Sequence, residues 1–126
     1  MSRNYRDLVV WQRAHQLVLR VYEETKRFPA EEKFCLTDQM RRAAYSVPAN
    51  IAEGSGRETS KDYLRFLSMA LGSLKELEYF LLLSRDLTYL TAGTHEDISH
   101  DLLGVFSPLQ GLIQTIKRDL NIPPKS

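Results

Sequence analysis

Along most of this chain, apolar residues recur at alternating intervals of three and four, the spacing that gathers side chains on one face of an α-helix. Four segments carry that spacing, with short polar connectors between them. The first spans about Leu8 to Arg27, with the stripe Leu8, Trp11, Ala14, Val18, Val21 and Phe28. Asp7 is its expected N-cap, and Phe28-Pro29 its expected stop, because the residue before a proline avoids the α region. The second spans about Leu36 to Glu53, with Leu36, Met40, Ala43, Val47 and Ile51 in line. Pro48 sits inside it. The residue four before is Ala44, so ring crowding is mild and a kink is expected rather than a break. Gly54 is expected to end this helix in the left-handed C′ conformation. The third segment spans about Ser60 to Leu87 behind the capping signal Thr59-Ser60-Lys61-Asp62, with Tyr63, Leu67, Ala70, Leu74, Leu77 and Leu81 as its stripe. The fourth spans about His95 to Leu120, with Thr94 as its expected cap and Ile98, Leu102, Val105, Leu109, Leu112, Ile116 and Leu120 in line. The proline-bearing residues 121–126 are expected to form a frayed tail.

No strand pattern interrupts these segments, so the expected fold is all-α: a single domain over 1–126, an antiparallel up-and-down four-helix bundle with a Pro-kinked second helix. A chain of 126 residues can bury roughly two thirds of its unfolded surface and needs no covalent staple. The single cysteine, Cys35, excludes an internal disulfide and a multi-cysteine zinc site. The longest apolar run, Tyr79 to Leu83, is far short of the roughly 20 residues of a membrane helix, and the first residues carry no signal-like apolar stretch. A cytoplasmic protein with no membrane contact is expected.

The third segment has more apolar surface than a lone bundle needs. Beside its main stripe runs a second one, Phe66, Met69, Phe80, Leu83 and Leu87. One helix of a monomeric bundle hides a single face. The surplus predicts that Phe66, Met69, Phe80 and Leu83 meet another copy of the chain, making the protein a homo-oligomer.

Candidate chemistry is sparse. Glu-x-x-His, the di-iron signature of helical bundles, does not occur. His95 and His100 are five residues apart, which turns their imidazoles about 140° apart on a helix, too far to share a metal. Cys35 has no histidine nearby in sequence, and Gly54-Ser55-Gly56-Arg57 lacks the Gly-Lys-Ser/Thr ending of a phosphate loop. No metal, no cofactor and no enzymatic activity are expected.

The arginines are more informative. Lys and Arg total 17 against 16 Asp and Glu, a net charge of +1, so any basic surface must be local. Arg6, Arg13, Arg20 and Arg27 recur at every seventh residue and form one stripe, read as lying opposite the Trp11–Val18 face. Such a stripe can track phosphates, or it can be a solvated face with pairs such as Arg20–Glu24. In the second segment Arg41 and Arg42 point to different sides, small residues at Ser46 and Ala49 permit close helix approach, and Asn50 falls near the apolar face. Glu53, Arg42 and Arg57 can form a charge network at the helix end. Arg13, Arg20, Arg41, Arg42 and Arg57 are the candidate contacts to RNA or DNA. The alternative is a protein-interaction scaffold whose arginines pair with acids.

The stretch Gln39-Met40-Arg41-Arg42-Ala43-Ala44-Tyr45-Ser46-Val47-Pro48-Ala49-Asn50-Ile51-Ala52-Glu53-Gly54 resembles the signature of the 23S rRNA intervening-sequence protein family. Val10-Trp11-Gln12-Arg13-Ala14, Phe28-Pro29 and the run from Ala70 to Glu78 also match, so the resemblance covers about residues 5 to 120. It implies a small bacterial four-helix bundle, a ring-like homopentamer and no established enzymatic activity. A similar protein, the accessory variability determinant of diversity-generating retroelements, binds nucleic acid and a reverse transcriptase through a basic surface. The matching positions Trp11, Pro48, Asn50, Glu53 and Gly54 carry, on this resemblance, mainly structural roles.

Overall fold

The computed structural model describes residues 4–123. It consists of four α-helices, α1 (Val9–Thr25), α2 (Leu36–Ser55), α3 (Ser60–Asp86) and α4 (Ala92–Asp119), with short 3-10 turns at Tyr5–Asp7 and Ala30–Glu32. Among the described residues there is no strand. The fold is the expected all-α four-helix architecture.

The helix ends follow local hydrogen bonding, and several differ from expectation. Asn4, not Asp7, caps the N-terminal turn: its Oδ1 accepts from the Arg6 N–H at 3.0 Å. Leu8 is extended, which separates that turn from α1. At the other end of α1, Thr25 turns its hydroxyl back onto the Val21 carbonyl at 2.8 Å. The start of α4 falls three residues earlier than expected, because Thr91 accepts from the Thr94 N–H at 3.1 Å. Ala92 and Gly93 thus occupy its first turn. Thr59 caps α3 as expected, accepting from the Asp62 N–H at 3.1 Å. Gly54 does not take a left-handed conformation; no glycine has a positive φ, and α2 continues through it to Ser55. Asn121 does adopt φ 57°, ending α4. Residues 124–126 of the expected tail lie outside the described residues.

Each helix packs against two others, in the cycle α1–α2–α3–α4–α1, while the backbones of the diagonal pairs stay farther apart. Contacts run in opposite order along α2 and α3, and along α1 and α4. Gly54 of α2 meets Tyr63 and Phe66 of α3, Ser46 meets Ser73, and Met40 meets Ser84. Likewise Arg13 and Arg20 of α1 meet Gly104 and Asp101 of α4.

The core forms where the four stripes converge. All six main-stripe residues of α3 are buried, as are Met40, Ala43, Val47 and Ile51 of α2. Each fully buried aliphatic or aromatic side chain contributes roughly 1.5–3 kcal/mol relative to exposure. Several positions correct the expectation, and Leu8 and Leu120 at the stripe ends are only partly buried. In α1 the buried face is Val10, Ala14, Leu17, Val18 and Val21, while Trp11 is half-buried at its edge, stacked on His15 at 5.2 Å. In α4 Ile113 rather than Leu112 is buried, because the 3.6-residue repeat drifts from a strict seven-residue pattern over a long helix. Among the described residues no buried side-chain polar atom lacks a hydrogen bond.

Candidate functional site

The five candidate arginines fall in four separate places. Arg13 and Arg20 flank a groove of about 740 Å³ between α1 and α4, lined also by Gln16, Leu19, His100 and Asp101. Their stripe therefore borders α4 instead of lying opposite the core. With Leu17 and Val21 central to the buried face, Arg13 and Arg20 sit only about 60–80° round the helix from its middle.

Arg13 has a specific local task. Pro108 has no N–H, so the Gly104 carbonyl four residues earlier has no helical donor. The Arg13 Nη1 donates to that carbonyl at 3.1 Å. Arg20 lies between two acids, 3.4 Å from Glu24 and 3.3 Å from Asp101. The first of these is the expected one-turn pair, and the second joins α1 to α4.

Arg41 turns toward α1. Its Nε donates to the Thr25 hydroxyl at 2.9 Å, and its guanidinium rests 4.6 Å from the Tyr22 ring centroid. Its neighbour Arg42 points outward, with its side chain 64% exposed and only a 3.9 Å approach to Asp38. Arg42 therefore stands outside the expected network with Glu53. Arg57 does join Glu53, at 3.0 Å, and also reaches Asp62 at 3.6 Å. Surface pairs of this kind contribute about 0–1 kcal/mol each and are screened by salt. Arg57 and Arg65 both lie over the Phe66 ring, at 4.6 and 4.5 Å. Arg65 was not singled out by sequence, although its position one residue before Phe66 and three after Asp62 is the available signal.

The matching motif residues do structural work around the α2–α3 seam. Asn50 Nδ2 donates to the Ser46 carbonyl at 2.8 Å, and the Ser46 hydroxyl pairs with that of Ser73 at 2.9 Å. Gln39, Arg42, Tyr45, Ser46, Ser73 and Glu76 surround a shallow pocket of about 280 Å³ there. Gly54 is required by proximity: a Cβ at this position would stand 2.8 Å from Phe66 Cβ and 2.9 Å from Tyr63 Cδ1. Pro48 is buried within α2.

The four candidate interface residues divide. Phe66 is only 8% exposed within the protomer, covered by the two guanidiniums, so its reading as uncovered surplus is corrected. Met69 is 47% exposed and Leu87 is 42% exposed. Phe80 and Leu83 are half-buried, packed on the core by one side. Spacings of three and four align Met69, Ser73, Glu76, Phe80, Leu83 and Leu87 on one face of α3. Tyr79 and Leu82, also exposed, extend the apolar area toward α4.

Two ionisable groups are displaced from their ordinary range. The Lys26 ammonium, hydrogen-bonded to Glu23, holds that carboxyl low, and the hydrogen bond to Glu32 raises Tyr89. Among the described residues no group of three His, Cys, Asp or Glu side chains could hold a metal ion. Nor is any described helix long and apolar enough to cross a membrane.

A family model described as 23S rRNA-intervening sequence protein matches residues 6–111. The chain belongs to this family. A solved structure is similar to it: a crystal structure of a protein with unknown function from the S23 ribosomal protein family of Bacteroides thetaiotaomicron, 28% identical. That match covers 83% of this chain and 98% of the other, with a TM-score of 0.77. No curated protein matches. The family model spans all of α1, α2 and α3 and most of α4, so family membership and fold rest on the same helices.

Proposed function

We propose that this protein is a non-enzymatic bundle that works as an assembly of identical copies in the bacterial cytoplasm, five by the family resemblance, and presents arginines to nucleic acid or a ribonucleoprotein. The observation that carries the assembly is the α3 row from Met69 to Leu87, whose large apolar side chains remain partly or largely exposed in the protomer. A second copy laid along that row would remove apolar area at about 25 cal/mol per Å². Assembly in a ring would repeat each arginine around an axis, so that a chain of net charge +1 could still concentrate positive potential on one surface. The words 23S rRNA and ribosomal in the family descriptions support a nucleic-acid partner.

A specific observation favours the second reading, a protein-interaction scaffold. Arg13, Arg20, Arg41 and Arg57 all direct donors to partners inside the protomer, and Arg42 alone is both exposed and loosely tied. One experiment separates the two. Binding of a short single-stranded RNA is measured across a salt series. Nucleic-acid function predicts affinity that falls by nearly one decade per decade of salt for each phosphate neutralised. Negligible binding at low salt leaves the scaffold.

A further inference from the structure

A pocket of about 380 Å³ opens between the end of α1 and the start of α2, lined by Thr25, Lys26, Phe28, Lys33, Thr37 and Arg41. Its volume is within the roughly 300–1,000 Å³ of small-ligand clefts. Its charge is unlike that of the other grooves. Asp101 lies in the groove of Arg13 and Arg20, Glu58 and Asp62 in that of Arg57, and Glu76 beside Arg42. Here three cations line the wall, and no acid does.

The donors in this pocket are also incompletely used. Arg41 employs Nε and Nη2, toward the Thr25 hydroxyl and the Tyr22 carbonyl, and leaves Nη1 without a partner among the described residues. Among the described residues Lys33 has no carboxylate within ion-pair distance and only the Phe34 ring at 5.4 Å. Lys26 meets Glu23 at 3.0 Å, but both side chains are about two-thirds exposed, so the pair is weak and can open. Thr37 is the independent sign. It is 6% exposed and lines the pocket, yet its hydroxyl has no hydrogen-bond partner among the described residues. No fully buried side-chain polar atom among the described residues is unmatched, so this hydroxyl keeps a small opening to solvent and is free to donate to a ligand in the pocket it lines. Two acids nearby are engaged elsewhere: Glu32 accepts from the Tyr89 hydroxyl at 2.8 Å, and Asp38 faces Arg42; Glu31 is exposed and does not line the pocket.

We propose that this pocket binds a phosphate dianion. The free edge of Arg41 would take two oxygens, Lys33 and Lys26 would supply point charges, and Thr37 would donate its hydroxyl. The group can be free phosphate or the terminal phosphate of an oligonucleotide. Nothing in the site requires nucleic-acid binding by the other arginines, so the proposal stands or falls apart from that reading.

The test is an amide and side-chain NMR titration of the whole protein with inorganic phosphate, against chloride at equal ionic strength. Saturable shifts at Lys33, Thr37 and Arg41 are expected with phosphate alone. Lys33→Gln, at an exposed position, should weaken the binding about tenfold. Thr37→Val should weaken it about fivefold while leaving the fold intact, since the hydroxyl it removes has no partner. Equal, linear shifts with phosphate and chloride would overturn the proposal, as would phosphate binding unaltered in both variants. Competition by a 5′-phosphorylated oligoribonucleotide but not by its 5′-hydroxyl twin identifies a terminal phosphate as the occupant. Competition by neither identifies free phosphate. Equal competition by both would contradict a dianion site.

Discussion

Replacing Gly54 by alanine tests the close approach of α2 and α3 at the family motif. The added Cβ would stand 2.8 Å from Phe66 Cβ, 2.9 Å from Tyr63 Cδ1 and 3.3 Å from the Tyr63 carbonyl oxygen. Phe66 Cβ is fixed to its backbone and cannot rotate away, so the two helices must separate. Overpacking of this kind costs about 1–3 kcal/mol. Against it stands the helix preference of alanine over glycine, about 1 kcal/mol. Gly111, in α4, supplies the control, because a Cβ there meets nothing within 4 Å. Gly111→Ala should therefore gain up to about 1 kcal/mol. The propensity gain is common to both variants, so their difference isolates the clash at about 1–3 kcal/mol. In thermal melts followed by circular dichroism that is a separation of about 4 °C per kcal/mol for a chain of this size. Protein concentration must be held constant, because self-association shifts the midpoint. A Gly54→Ala protein as stable as Gly111→Ala would refute the reasoning.

Other outcomes follow from single contacts. Arg13→Met should lower stability by about 1 kcal/mol by leaving the Gly104 carbonyl without its donor, and much less when Pro108→Ala restores a helical N–H; a denaturation double-mutant cycle with no coupling between the two would contradict the pairing. Leu83→Asp should reduce the mass of the assembly measured by light scattering, and unchanged mass would remove Leu83 from the contact. The neutral Tyr89 hydroxyl bonds to Glu32, and its raised folded pKa means that this contribution is fully present below the unfolded value of 10.0 and is lost as pH rises through the folded one. Tyr89→Phe should therefore flatten the alkaline limb of a stability-versus-pH series, and an unchanged limb would exclude that role. Glu23 has the opposite sign: its contribution is present above the ordinary value of 4.5 and fades as pH falls through the lowered one, so Lys26→Met should reduce the acid-side loss.

The helices could be read from sequence because burial enforces their period. Tyr63 to Leu81 keeps the three-four spacing without exception, and every member is buried. The Thr59 cap and the Arg20–Glu24 pair are local and were equally accessible. Errors cluster where tertiary contacts decide. Arg13 and Gly104 are 91 residues apart in sequence, so nothing local assigns that guanidinium to a proline-orphaned carbonyl. Gly54 looked like a turn glycine because glycine suits both left-handed turns and close helix approach, and only the neighbouring helix distinguishes them. Phe66 looked like surplus because its cover is two arginines, which periodicity counts as polar although their stems and planar heads shield a ring well. Thr37 carried no signal at all, since its significance lies in a missing partner inside a pocket built from α1, the connector and α2.

Self-association through the exposed row of α3 is the claim on which the functional reading rests. Its most direct test is the molar mass of the protein in solution, from sedimentation equilibrium over a dilution series. The expected result is a discrete species several times the 14.6 kDa protomer, persisting on dilution. A single species at 14.6 kDa throughout would contradict it.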